Sequence, residues 1–129
     1  MKELKSIMLV EDDLDIQEIV KLSLSDIKGL TLTVCSSGEE ALKEVVNSKP
    51  QLILLDVMMP MMDGPTTLKN LKLLPEAANI PVIFVTAKVQ PYEVASYEEM
   101  GVLSVISKPF NPMTLADTIL NIWKKLPNR

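Results

Sequence analysis

Apolar residues in this chain follow two spacings. Short runs occur at residues 6–10, 30–35, 52–55, 81–85 and 102–106, several of them without in–out alternation. Runs of that kind are expected of strands buried on both faces. Between them the spacing turns helical: Ile16, Ile19, Val20, Leu24 and Ile27; Ala41, Leu42, Val45 and Val46; Leu68 and Leu71, with Leu74 next on the stripe; then Leu115, Ile119, Ile122, Trp123 and Leu126. Segment 91–100 has no clear stripe and is assigned a helix because parallel neighbours need a crossover. Ser37 followed by Glu40 reads as a helix start, Pro65 suits a first turn, and Pro50, Pro75, Pro81 and Pro109 fall in connections.

Five strands alternating with five helices predict an α/β fold: a doubly wound, five-stranded parallel sheet with right-handed crossovers and helices on two faces. The flavodoxin-like order 2-1-3-4-5 is the matching arrangement. A chain of 129 residues holds one such domain, and only a few polar residues follow the fifth helix. The expectation is therefore a single domain over 1–129 with no output domain.

Composition narrows the function. The net charge of −4, with no block of Lys or Arg, argues against nucleic-acid binding through a basic patch. The lone Cys35 cannot form an internal disulfide and fits a buried thiol in a reducing, cytoplasmic setting. No signal-like N-terminus or long apolar stretch suggests membrane insertion. The absence of histidine rules out a phosphohistidine carrier, a His-based triad and a His-ligated zinc.

The candidate chemistry sits where the predicted strands end. Glu11 and Asp12 follow the first, Asp56 the third, Thr86 the fourth, and Lys108 lies just past the fifth. In an open parallel sheet these ends share one edge, and ligands bind in the crevice outside it. An acidic run before a helix is often only a cap, and Asp13 or Asp15 can serve that purpose. Glu11 and Asp12 instead face the neighbouring strand that ends in Asp56. Carboxylates about 4 Å apart repel by roughly 4 kcal/mol at an effective dielectric near 20, so the cluster retains a proton or binds a cation. All-oxygen donors without histidine suit Mg²⁺, with Asp12 and Asp56 as direct ligands, Glu11 in an outer position, and a backbone carbonyl near Met58 as a third ligand. Asp56 is then a candidate nucleophile toward a phosphoryl group, with Lys108 and Thr86 as donors to its oxygens.

The stretches MLVEDD (8–13), LILLDVMMPMMDG (52–64), VIFVTAK (82–88) and SVISKPF (104–110) together resemble the response regulator receiver domain, the CheY-like module of two-component signalling. The resemblance covers essentially the whole chain. It implies Asp56 as phosphoacceptor, Glu11, Asp12 and Asp56 with the Met58 carbonyl around Mg²⁺, Thr86 as switch hydroxyl, Lys108 as the phosphate-contacting lysine, and a cis peptide before Pro109. It also implies a sensor histidine kinase or histidine phosphotransfer protein as donor and a downstream protein target the sequence does not name. The domain would be a monomer or weak dimer that catalyses only its own phosphotransfer and dephosphorylation and is not otherwise an enzyme. Met58 and Lys88 occupy positions that influence dephosphorylation in the family. One departure stands out: many members have Tyr or Phe where this chain has Val105, so an aromatic switch does not carry over.

A second reading is a pseudo-receiver that binds partners without phosphorylation, but none of the chemical residues is missing. A haloacid dehalogenase-type phosphatase would want an acid at position 58, and a flavodoxin would want a phosphate cradle where Glu11 and Asp12 stand. Methionines 58, 59, 61 and 62 are expected to fill gaps after Asp56. Tyr92 and Tyr97 are expected half-exposed on the fourth helix.

Overall fold

The computed structural model describes residues 2–127. Ten elements alternate along the chain: β1 (Ser6–Val10), α1 (Leu14–Leu24), β2 (Thr31–Cys35), α2 (Gly38–Ser48), β3 (Leu52–Asp56), α3 (Gly64–Lys72), β4 (Val82–Thr86), α4 (Pro91–Glu99), β5 (Ser104–Ser107) and α5 (Leu115–Lys124). All strand pairs are parallel and the sheet order is β2-β1-β3-β4-β5, as the alternating pattern predicts.

The runs without alternation have a direct physical cause. Successive side chains of a strand point to opposite faces, and here each face is covered by helices. Met8, Val10, Ile53, Leu55 and Phe84 enter one apolar cluster with Ala41, Val45, Leu68 and Leu71 of α2 and α3. Ile7, Leu9, Leu52, Leu54, Ile83 and Val85 enter the other, with Val20 and Leu24 of α1 and Ile119 and Trp123 of α5. Every residue of β3 and β4 is buried. Truncating one of these leucines or isoleucines to alanine typically costs about 2–5 kcal/mol, so the sheet is a stiff platform.

Helix starts follow the local signals. Asp13 caps α1, accepting the N–H groups of Asp15 at 2.9 Å and Ile16 at 3.2 Å. Ser37 caps α2 through the Glu40 N–H at 3.1 Å. Asp63 caps α3, with Pro65 in the first turn. The acidic run after β1 therefore divides its labour, leaving Glu11 and Asp12 free of capping.

Several expectations need correction. Tyr97 is buried, not half-exposed: its ring meets Phe84 edge-on, centroids 5.3 Å apart and planes at 82°. The weakly patterned α4 covers its edge of the sheet largely with that ring, and Tyr92 is the exposed member of the pair. Val105 is only partly buried, because β5 is an edge strand. The fifth strand begins two residues later than the apolar run suggested, Thr86 completes β4, and α3 ends at Lys72, short of Leu74. Of the four methionines after Asp56, Met59 alone is fully buried, while Met58 and Met61 are exposed.

Candidate functional site

Parallel β1 and β3 are direct neighbours, with Val10 opposite Leu55, so the residues that follow them emerge side by side at the carboxyl edge of the sheet. Carboxylate oxygens of Glu11, Asp12 and Asp56 all lie within 4.8 Å of one another. Glu11 and Asp56 are buried, whereas Asp12 is exposed at the mouth. Lys108 reaches in from the far side of the sheet: its Nζ donates to Glu11 Oε1 at 2.9 Å and forms an ion pair with Asp56 Oδ1 at 3.2 Å. The backbone beneath it is anchored by the Lys108 N–H donating to the Thr86 carbonyl at 2.9 Å, and the Lys108–Pro109 peptide is cis.

Burial and charge set the protonation of the site. Desolvation pushes Glu11 up to about 7, and the Asp56 charge adds to this, against the opposing pull of the Lys108 hydrogen bond and the Asp13 N–H. For Lys108, burial acts to lower its affinity for a proton, but Glu11 and Asp56 outweigh it and hold the ammonium above the ordinary lysine value. The ammonium is thus charged at neutral pH, and the pair's softness lies in the Glu11 proton. The three converging carboxylates, hard oxygen donors whose like charges repel, fit a small divalent cation, which would bind in place of the Glu11 proton.

Asp56 Oδ1 also accepts the Met58 N–H at 3.3 Å, which orients the carboxylate and places the Met58 backbone at the site while its side chain faces solvent. Thr86 is buried, and its hydroxyl accepts the Lys88 N–H at 3.0 Å, tying it to the loop between β4 and α4. Two contributors escaped the sequence reading. Gly64 folds back beneath the site, its N–H donating to the Val57 carbonyl at 2.8 Å. A Cβ there would lie 2.6 Å from the Asp56 carbonyl oxygen and 2.7 Å from Val57 Cα, so no larger residue fits without moving backbone. Gln17, buried on the inner face of α1 beside Val20 and Leu24, is the other.

The acidic, lysine-bridged cluster lies where the strand order reverses, the usual place for a ligand in a doubly wound α/β domain, and comparison with known proteins identifies the family. The family model for the response regulator receiver domain matches residues 7–120, and the chain belongs to that family. It is 31% identical over 122 residues to the transcriptional regulatory protein CpxR homolog of Haemophilus influenzae, covering 95% of this chain and 52% of that protein. It is 34% identical over 108 residues to the alkaline phosphatase synthesis transcriptional regulatory protein PhoP of Bacillus subtilis, covering 84% and 44% respectively. The chain therefore spans about half the length of the curated relatives it matches. Among solved structures, the chemotaxis response regulator CheY4 of Vibrio cholerae superposes with a TM-score of 0.83 at 26% identity, covering 93% of this chain and 99% of that one. A response regulator from Desulfuromonas acetoxidans gives 0.83 at 31% identity, covering 95% and 99%. Among the described residues no helix is long and apolar enough to cross a membrane.

Proposed function

We propose that Asp56 of this receiver accepts a phosphoryl group from a phosphohistidine on a sensor kinase or phosphotransfer protein, and that the modification alters the surface a partner reads. The supporting observation is the convergence of Glu11, Asp12, Asp56 and Lys108 on one edge of the sheet. A carboxylate oxygen of Asp56 attacks phosphorus and forms the new P–O bond, while the P–N bond breaks and the imidazole leaves with its electron pair. Histidine has to come from the partner, since this chain has none.

Glu11, Asp12 and Asp56, with the Met58 carbonyl, would hold Mg²⁺, which when bound neutralises charge on the transferring group and the attacking carboxylate. Lys108 supplies a cation to an oxygen of the transferred phosphoryl group; its ion pair with Asp56 Oδ1 at 3.2 Å, which keeps the ammonium beside the attacking carboxylate, supports that role. Thr86 has a hydroxyl that can leave the Lys88 N–H and donate to the phosphoryl group, drawing the loop between β4 and α4 with it. Val105 offers no aromatic ring to follow that motion, so the change is read through loop packing.

The donor protein docks beside Lys108. A cleft of about 290 Å³ is lined there by Ile16, Ile19, Ala87, Pro109, Phe110 and Pro112, apolar residues bordering the charged site. The buried, free thiol of Cys35 is compatible with a cytoplasmic setting for this domain. The test is incubation with acetyl phosphate and Mg²⁺ followed by mass spectrometry of the intact protein. Wild type gains one phosphoryl group and Asp56→Ala gains none; an alanine variant that is still phosphorylated would refute the assignment.

A further inference from the structure

Resting on the metal reading of the acidic cluster, we propose that Gln17 is a positioning residue for that cluster: its buried amide fixes the peptide that carries Glu11 and Asp12, and so sets divalent-cation affinity. Gln17 lies one turn into α1 and is only 5% exposed, beside the apolar positions Val20 and Leu24 that its helix turns toward the sheet. An amide buried there without partners would cost about 1–3 kcal/mol, so its retention calls for hydrogen bonds. Both come from its Nε2, which donates to the Glu11 carbonyl at 2.6 Å and to the Ser36 hydroxyl at 3.1 Å.

These two bonds link the loop after β1 to the loop after β2. A third bond beside them ties the loop after β1 to the end of β2: the Glu11 N–H donates to the Cys35 carbonyl at 3.0 Å. Glu11 is thus held at its amide by the strand neighbour and at its carbonyl by Gln17. The carbonyl belongs to the peptide plane between Glu11 and Asp12, and the tilt of that plane decides where the Cβ of Asp12 points. Asp12 is exposed and gets no help from packing, so the aim of its carboxylate depends on the backbone. Ser36 is itself restrained, its N–H donating to Glu40 Oε1 at 3.3 Å, which makes the clamp a chain from α1 through β2 to α2.

Partners that orient metal ligands typically change metal affinity by about 10–100-fold when removed. Titration of the metal-free protein with Mn²⁺, following the free-ion EPR signal, reads affinity without any phosphorylation, and thermal melts in chelator read stability. Gln17→Met keeps length and removes the donors; it is expected to bind Mn²⁺ about tenfold more weakly. Leu24→Ala, a truncation of the same helix face, is expected to lower Tm yet keep wild-type Mn²⁺ affinity, which separates positioning from general loosening. Ser36→Ala, at an exposed residue, removes one anchor of the amide and is expected to weaken Mn²⁺ by a smaller factor, so it carries the test if Gln17→Met does not fold. Wild-type affinity in Gln17→Met, or in Ser36→Ala where that variant carries the test, overturns the positioning role. Equal loss of affinity in Leu24→Ala overturns it as well. Absence of Mn²⁺ binding by wild type overturns the metal reading itself, and this inference with it.

Discussion

Replacing Gly64 by alanine tests how closely the loop after Asp56 is fitted to the proposed phosphoacceptor. The added Cβ would meet two backbone atoms, the Asp56 carbonyl oxygen at 2.6 Å and Val57 Cα at 2.7 Å. Carbon atoms in contact normally sit about 3.5–4.0 Å apart, so the loop has to retreat by about 1 Å. Neither atom is the end of a flexible side chain, and β3 is buried along its whole length, so the strand does not yield. Retreat also stretches the Gly64 N–H bond to the Val57 carbonyl. Overpacking of this kind costs about 1–3 kcal/mol, and a domain of this size loses about 4 °C of Tm per kcal/mol, giving a fall of about 4–12 °C. The assay pairs thermal melts with the rate of phosphorylation by acetyl phosphate, because the loop that must retreat begins at Val57, next to Asp56. Gly101→Ala is the control: no atom lies within 4 Å of its added Cβ, and only its φ of +92° resists. That backbone strain costs about 1–2 kcal/mol and leaves the phosphorylation rate unchanged. A Gly64→Ala protein melting within about 1 °C of wild type and phosphorylated at the same rate would refute the close-fit argument.

Lys108→Met leaves Glu11 and Asp56 facing each other without their shared cation; stability in chelator is expected to fall by about 3 kcal/mol, with Mg²⁺ recovering part of it, and an unchanged urea midpoint in chelator would count against the ion-pair account. Burial pushes the Cys35 thiol up from 9.0 to about 12, assisted by Glu40 and Glu44. The folded state thus holds this proton more tightly than the unfolded chain, so the contribution is complete below pH 9.0 and is lost as pH rises toward 12. Urea midpoints between pH 9 and 11 should consequently fall more steeply for wild type than for Cys35→Val, and parallel pH curves would contradict this.

The sheet was legible in the sequence because both of its faces are covered: β3 and β4 are apolar at every position but their final Asp56 and Thr86, which periodicity alone reports. The site was legible for a related reason, since strand ends in a parallel sheet have one place to go and four of the five, all but β2, carried a group of compatible chemistry. α4 was less readable. Its single buried ring, Tyr97, satisfies the packing of nine residues without creating a stripe, and the same letter could equally sit in solvent, as Tyr92 does. Gly64 and Gln17 were not readable as parts of the site, because their roles arise from backbone atoms brought close by the tertiary fold. A glycine after an aspartate reads first as a turn, and a glutamine in a helix reads first as surface.

The two apolar clusters meet only through the sheet, and the chemistry occupies just one rim of it. The outward surfaces of the five helices therefore bear neither the core nor the acidic site. Their residues can be exchanged, one helix face at a time, without altering how the domain folds or how Asp56 is presented. Substitutions confined to an outward helix face are accordingly expected to leave the acidic rim of the sheet as it stands.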